Sequence, residues 1–120
     1  MGAIITTITN LQAFPNLVQV NTRDNDISFI DYSNLQSLEI INNTNGGTTS
    51  INIVNCSSLI NVSMRNNSLS NVDEILIQLD NNGLSNGFTN LAEGTSVIPS
   101  GAGITAKDNL IAKGWTVLTN

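Results

Sequence analysis

The stretch CSSLINVSMRNNSLSNVD, residues 56–73, decides the fold because its apolar residues follow neither a helical nor a simple alternating pattern. Counted from its first leucine, positions 1, 4, 6, 9 and 11 hold Leu59, Val62, Met64, Asn67 and Leu69. An amphipathic helix repeats its apolar residues at steps of three and four, and a half-buried strand at steps of two. The spacing instead predicts a short strand with two inward-pointing residues, followed by a turn that Asn67 enters.

Two earlier stretches repeat this spacing. The first unit places its residues at Leu17, Val20, Thr22, Asn25 and Ile27. We align the second unit so that its first four positions hold Leu35, Leu38, Ile40 and Asn43, since SFIDYSNL ends at Leu35 as NIVNCSSL ends at Leu59. The units then begin at Leu17, Leu35 and Leu59, so the second interval is longer than the first. We assign the difference to TNGGTT at 44–49, which its glycines mark as an inserted loop.

The repeated pattern, L-x-x-L-x-L-x-x-N-x-L, resembles the leucine-rich repeat family over residues 10–70. The resemblance implies an α/β fold, a short right-handed solenoid in which stacked units form a parallel β-sheet. It also implies a structural role for Asn25, Asn43 and Asn67, whose amides would satisfy backbone groups in the turns.

The last third of the chain predicts a helix-strand-helix-strand C-terminal cap. Residues 71–83 predict a helix with Asn71 as its cap, Glu74 as the capping-box partner and Gly83 at its end. We predict strands at 87–91 and 115–119, and between them a helix from the cap Thr105 to Gly114. The wording SGAGITAKDNLIAKGWTV is similar to the tail ends of leucine-rich-repeat proteins from phage virions and environmental bacteria. We divide a single domain, 1–120, into an N-terminal edge (1–16), three repeats (17–70) and this cap (71–120).

The N-terminal segment AIITTITN predicts an uncharged edge strand. Such edges are usually guarded by charge or covered, because they pair with other chains. One hypothesis is that another subunit or a larger particle covers this edge through Ile4, Ile5, Thr7 and Thr9. The alternatives are that residues 1–3 fold over the edge, or that the chain is a piece of a longer protein.

Composition argues against several classes of function. Charged residues make up only 11% of the chain, and the four basic residues are scattered, so we expect no nucleic-acid partner. No apolar run is long enough to insert into a membrane. The chain has one cysteine and no histidine, so we expect no disulfide frame, cofactor or metal centre. The acidic stretch at 24–31 lacks the glycine and glutamate of a calcium loop.

The predicted register sets one row of side chains on the concave face of the repeats. The residues proposed for partner contact are Asn21, Arg23, Glu39, Ile41, Ser63 and Arg65. In this register Glu39 lies between two arginines, and its only carboxyl partner is Asp24. Because the arginines would keep both carboxyls ionised, we expect an ion-pair cluster rather than a glycosidase pair.

The register and composition predict a non-enzymatic binding or structural module. The resemblance of the tail implies that it is displayed on a phage virion or bacterial surface and contacts surface glycan or protein. A second hypothesis is a subunit that assembles into filaments or decorates a lattice through its N-terminal edge. A third is a carbohydrate-active enzyme.

Overall fold

A computed structural model describes residues 4–120, which form an α/β fold with a five-stranded parallel sheet, a second parallel sheet of two strands and two helices. The strands are β1 (Gln19–Asn21), β2 (Phe29–Asp31), β3 (Ile40–Asn42), β4 (Ser50–Asn52), β5 (Asn61–Ser63), β6 (Phe88–Asn90) and β7 (Thr116–Leu118). The helices are α1 (Val72–Asn82) and α2 (Gly101–Ala112). The larger sheet has the order β1-β3-β5-β6-β7, and β2 pairs with β4.

The first strands of the two sheets repeat at one constant offset. Val20 pairs with Ile41, and Ile41 pairs with Val62. In the smaller sheet Ile30 pairs with Ile51 at the same offset. Corner side chains that bond across neighbouring units, such as those of Asn45 and Asp24, also have this sequence separation of 21. Each of the first two units therefore gives one strand to each sheet, and the core lies between the sheets.

The predicted unequal spacing of the units is wrong, because the second unit begins three positions later than the alignment predicts. Ile41, rather than Leu38, lies beside Val20. Leu35 does not begin the second unit but closes the turn after β2, where its N–H donates to the Tyr32 carbonyl. Leu35 and Leu38 are three positions apart, as the first two leucines of the repeat pattern are, and this coincidence produced the wrong alignment. The stretch TNGGTT is a turn, as predicted, but it is not an insertion.

Five of the seven strands in residues 4–120 end in an asparagine or aspartate whose side chain helps to turn the corner. The side-chain oxygens of Asn21, Asn42 and Asn90 accept hydrogen bonds from the backbone N–H two positions on, at 3.2, 3.3 and 3.0 Å. Asp31 and Asn52 form the same bond after the strands of the smaller sheet. This bond reverses the chain locally, and so a strand of three residues can end without a long loop.

Three positions beyond the strand end, the corner residue adopts a left-handed backbone. Among residues 4–120, the non-glycine residues with positive φ are asparagines apart from one aspartate and one glutamate. Asparagine and aspartate tolerate this conformation because their short polar side chains bond locally. Along the larger sheet these side chains also bond one another: Asn66 donates to Asn45 at 2.8 Å, and Asn45 donates to Asp24 at 3.0 Å. The corners explain much of the unusual asparagine content.

Asn67 is buried and organises the turn that its position in the repeat predicted. Its Nδ2 donates to the carbonyls of Asn43 and Met64 at 2.8 and 2.9 Å. Its Oδ1 accepts from the N–H groups of Gly46 and Thr48, both at 3.0 Å. A Cβ at Gly46 would lie 2.7 Å from Asn67 Oδ1. The second unit therefore has a glycine at the position that Asn67 holds in the third.

Asn25 has the predicted structural role, whereas that of Asn43 is corrected. Asn25 donates to the carbonyls of Thr22 and Arg23, as a turn asparagine should. Asn43 instead occupies the inward position next to Thr22 in the register, where the Thr22 hydroxyl donates to its Oδ1 at 2.7 Å. It is fully buried in the core and is not the turn asparagine of its unit.

Helix α1 has the predicted bounds, and its Val72, Ile75, Leu76 and Leu79 are buried. The predicted capping box is wrong: Asn71 makes no side-chain cap but donates to the Ile51 carbonyl of β4. Gln78 accepts from the Ile53 N–H, and Asn82 donates to the Ile53 carbonyl. The amides of α1 thus satisfy the open edge of β4, and the helix takes the place that the next strand would hold.

The rest of the C-terminal segment agrees with the prediction except at the start of α2. Strands β6 and β7 lie within the predicted ranges. Helix α2 begins at Gly101, ahead of the predicted cap Thr105. Asp73 accepts bonds at 2.8 Å from the backbone N–H and the hydroxyl of Ser100, which fixes the chain just before the helix. Asp80 joins the two helices through Lys113 Nζ at 2.7 Å and Asn109 Nδ2 at 3.0 Å.

The predicted N-terminal edge strand is wrong for the residues that the structure describes; residues 1–3 lie outside them. Residues 4–10 form no strand, and a 3₁₀ turn follows at Leu11–Ala13. Ile5 bonds the corner at Asn25 and Asp26, and Gln12 donates to the carbonyls of Asp31 and Ser33 at the end of β2. The segment therefore covers the β2 side of the first unit.

We predict that Asn67→Ala lowers the free energy of unfolding by about 3 kcal/mol, since it leaves two buried backbone N–H groups and two carbonyls without their partner. Asn61→Ala is the matched control: Asn61 is half-exposed, its side chain bonds none of residues 4–120, and we expect a change within about 0.5 kcal/mol. Urea unfolding followed by circular dichroism measures both. Equal losses for the two variants would contradict the role given to Asn67.

Candidate functional site

The outer face of the five-stranded sheet is the candidate site. We define it as the residues at the first and third positions of its five strands, which alternate with the buried central residues. The first-position row is Gln19, Ile40, Asn61, Phe88 and Thr116. The third-position row is Asn21, Asn42, Ser63, Asn90 and Leu118. All ten side chains are exposed or half-exposed.

The structure brings only part of the predicted contact row together. Asn21 and Ser63 lie in the same third-position row of the outer face. Arg23 and Arg65 follow them, two positions beyond the strand ends. Ile41 is wrong as a contact residue, because it is the central residue of β3 and is fully buried. Ile41 was predicted to face outward because the second unit was aligned three positions too early.

Glu39 does not lie between the two arginines. It precedes β3, where its carbonyl accepts the N–H groups of Ile60 and Asn61, whereas the arginines follow the opposite ends of their strands. Arg23 instead pairs with Asp24 at 3.4 Å, and Arg65 pairs with Glu93 at 2.9 Å. The predicted ion-pair cluster is therefore replaced by two separate pairs at one rim of the outer face.

Sequence reasoning missed Asn90 and Phe88 as residues of the face, and it left Asn42 out of the predicted contact row. Asn42 was missed as a strand end because of the shifted alignment. Asn90 and Phe88 were assigned to the cap, since β6 follows β5 at a sequence separation of 27 rather than 21. The signal that would have found Asn42 as a strand end is the recurring pair of Asn or Asp residues three positions apart, as at Asn42 and Asn45, which marks a corner. Asn90 lacks this signal, because the left-handed residue of its corner is Glu93.

The two sheets differ in how their edges end. Within residues 4–120, side chains bond to the outer edge of each strand of the smaller sheet: Gln12 to β2, and the amides of α1 to β4. The described residues form no such bond to the outer edge of β1 or of β7, the outermost strands of the larger sheet. All four proposed assembly residues, Ile4, Ile5, Thr7 and Thr9, are exposed. They belong to the segment over the first unit and not to a strand.

The one cysteine is a core residue. Cys56 is 0% exposed, and its thiol donates to the Tyr32 carbonyl at 3.1 Å. Burial raises the pKa of the Cys56 thiol to about 11. Since the thiolate is the reactive form, Cys56 in the folded chain has neither the access nor the charge of a nucleophile.

In the part of the chain that the structure describes, no three His, Cys, Asp or Glu side chains converge as metal ligands do. Neither α1 nor α2 is long and apolar enough to cross a bilayer, and residues 4–120 contain no other α-helix.

Fold and site together define an α/β protein whose candidate site is an amide-rich face of a parallel sheet. Comparisons with protein-family models, with curated proteins and with solved structures found no match for this chain.

We predict that Cys56 reacts slowly with a disulfide reagent at pH 8 in the folded protein and rapidly in urea. The raised pKa also makes folding favour the neutral thiol. Its contribution to stability should be complete below the unfolded value of about 8.5 and should decline as the pH rises towards 11. Absorbance of the released thiolate measures the rate, and unfolding of wild type and Cys56→Ala between these pH values measures the stability. Rapid labelling of the folded protein would contradict this assignment.

Proposed function

We propose that the chain is a short solenoid of the leucine-rich repeat kind and acts as a non-enzymatic binding module. The constant offset of 21 residues among the first three strands of the larger sheet and between the two strands of the smaller sheet supports the repeat. Stacked units of this sort bury a shared core and leave one continuous face for partners. The contact surface in this proposal is the outer face defined above, with Arg23 and Arg65 at its rim, and the partner is a surface glycan or a protein.

The observation that carries the proposal is the composition of the outer face. Most of its side chains are uncharged polar groups, while Ile40, Phe88 and Leu118 add apolar surface between them. An exposed sheet face that mixes amides with a partly exposed aromatic ring offers both hydrogen bonds and contact area. The tail similarity noted in the sequence supports display on a phage virion or a bacterial surface.

A catalytic role has less support. Asp24 and Glu39, the two carboxyls considered for a glycosidase, belong to opposite ends of the strands, and Asp24 is engaged by Arg23 and Asn45. A glycosidase needs two carboxyls within about 10 Å on either side of a sugar, one of them held protonated. The geometry of this face does not favour such a pair.

The proposal predicts that bulky charges in the middle of the outer face abolish attachment. In Asn61→Arg/Ser63→Arg, two long cations cover β5, whereas the control Ser50→Arg puts the same side chain on the smaller sheet. Fluorescently labelled protein is sedimented with bacterial cells, and the bound fraction is measured. We expect loss for the double variant and wild-type binding for the control. Equal binding by all three proteins would rule out this face.

Self-assembly is the second candidate, and the uneven treatment of the sheet edges favours it. Strands β1 and β7 run parallel and carry no charged side chain, and the described residues leave their outer edges unbonded. Natural edge strands usually carry a lysine, a proline or a covering segment. A second copy placed end to end would continue the sheet from β7 of one copy to β1 of the next.

This second candidate predicts a molar mass in solution that rises with concentration. Val18→Lys/Gln19→Lys charges the rim of β1 and should return the protein to a monomer, while Ser50→Lys should not. Light scattering across a concentration series measures the mass of each protein. A wild-type monomer at every concentration would exclude assembly through these edges.

A further inference from the structure

The strand-end asparagines of the outer face keep one half of their amide free. In each, Oδ1 is occupied by the backbone N–H two positions on. No atom of residues 4–120 accepts from Nδ2 of Asn21, Asn42 or Asn90, and all three side chains are exposed or half-exposed. The turn that fixes the oxygen therefore also fixes the direction of two outward donor hydrogens on each amide.

These donors form a row across the strands. Asn21 and Asn42 are on adjacent strands, about 4.8 Å apart by the normal spacing of a sheet, and Asn90 lies two strands further on. Beside this row, Phe88 and Ile40 present half-exposed apolar surface from the first strand position. The face thus presents fixed hydrogen-bond donors in one row and apolar contact area in the row beside it, as a surface that binds sugar hydroxyls and sugar faces requires.

The outer face has little electrostatic attraction for a charged ligand. Its ten residues carry no formal charge, and the two arginines at its rim are paired with Asp24 and Glu93. An anionic ligand would meet those carboxylates together with the arginines. A protein partner usually depends on tryptophan, tyrosine or free arginine as anchors, and the ten residues of the face include none of these.

We propose that the outer face binds a neutral glycan chain laid across the strands. The outward amides of Asn21, Asn42 and Asn90 donate to sugar hydroxyl oxygens, and the Phe88 ring packs against a sugar face. This inference rests on the proposed binding function and specifies the ligand class of the same surface.

The decisive variant is Asn42→Asp/Asn90→Asp. Aspartate keeps the turn, as Asp31 shows by accepting the Ser33 N–H at 3.0 Å, but it replaces the outward donor with an acceptor. Asn52→Asp is the matched control: Asn52 forms the same turn in the smaller sheet, away from the outer face. Thermal unfolding of the three proteins establishes that each is folded.

Binding is measured by affinity electrophoresis and calorimetry against two panels. The neutral panel is a β-glucan, a mannan and a galactan, and the anionic panel is polygalacturonate and heparin. We expect wild type and Asn52→Asp to bind a neutral polysaccharide equally at low and high salt. The double variant should bind at least about tenfold more weakly, since two hydrogen bonds are lost and two charges are desolvated.

Three results would overturn the inference: no binding to any neutral polysaccharide, binding that salt abolishes, or full binding by the double variant. The cell assay separates this failure from that of the proposed function. If Asn61→Arg/Ser63→Arg loses cell attachment while no neutral polysaccharide binds, the outer face remains a binding site and its ligand is not a neutral glycan.

Discussion

The structure depends on the ability of short polar side chains to hold a tight corner. Each of the seven strands in residues 4–120 has three residues, so the chain must turn many times within a short length. A backbone bond from the strand-end side chain begins the corner, and a left-handed residue completes it. Glycine could adopt the left-handed backbone, but it would not supply the side-chain bonds that link one corner to the next. Asparagine meets both requirements.

The five-stranded sheet covers one side of the core along its whole length, whereas the opposite side is covered first by the smaller sheet and then by helices. In the first two units a second sheet lies opposite the larger one, and in later units helices replace it. The change is made at β4, where three amides of α1 and its flank satisfy the edge that a further strand would have paired. Helix α1 buries four apolar side chains, whereas β2 and β4 each bury one, and at the C-terminal end Leu110 and Trp115 complete the core.

Much of this arrangement could be predicted from the sequence, and the limits have identifiable causes. The helix at 72–82 followed from four apolar residues at helical spacing and a glycine at its end. The start of the second unit was predicted wrongly because Leu35 and Leu38 both fit the spacing of the pattern, and only strand pairing shows which of them begins a unit. As a result, Ile41 is removed from the predicted contact row and Asn42 is added to it. Asn90 and Phe88 depend on the longer connection through α1, whose length a fixed period does not reveal.

The equal offset of the first units has a consequence for how such a chain changes over evolutionary time. Residues 38–58 begin and end at equivalent points of neighbouring units, so an in-frame duplication of that segment would add a strand to each sheet without a new kind of corner. The same event downstream of residue 71 would not, since the amides of α1 fit one particular edge. Units can therefore be added before α1 but not after it, and we expect variation in the number of units to be confined to the N-terminal half.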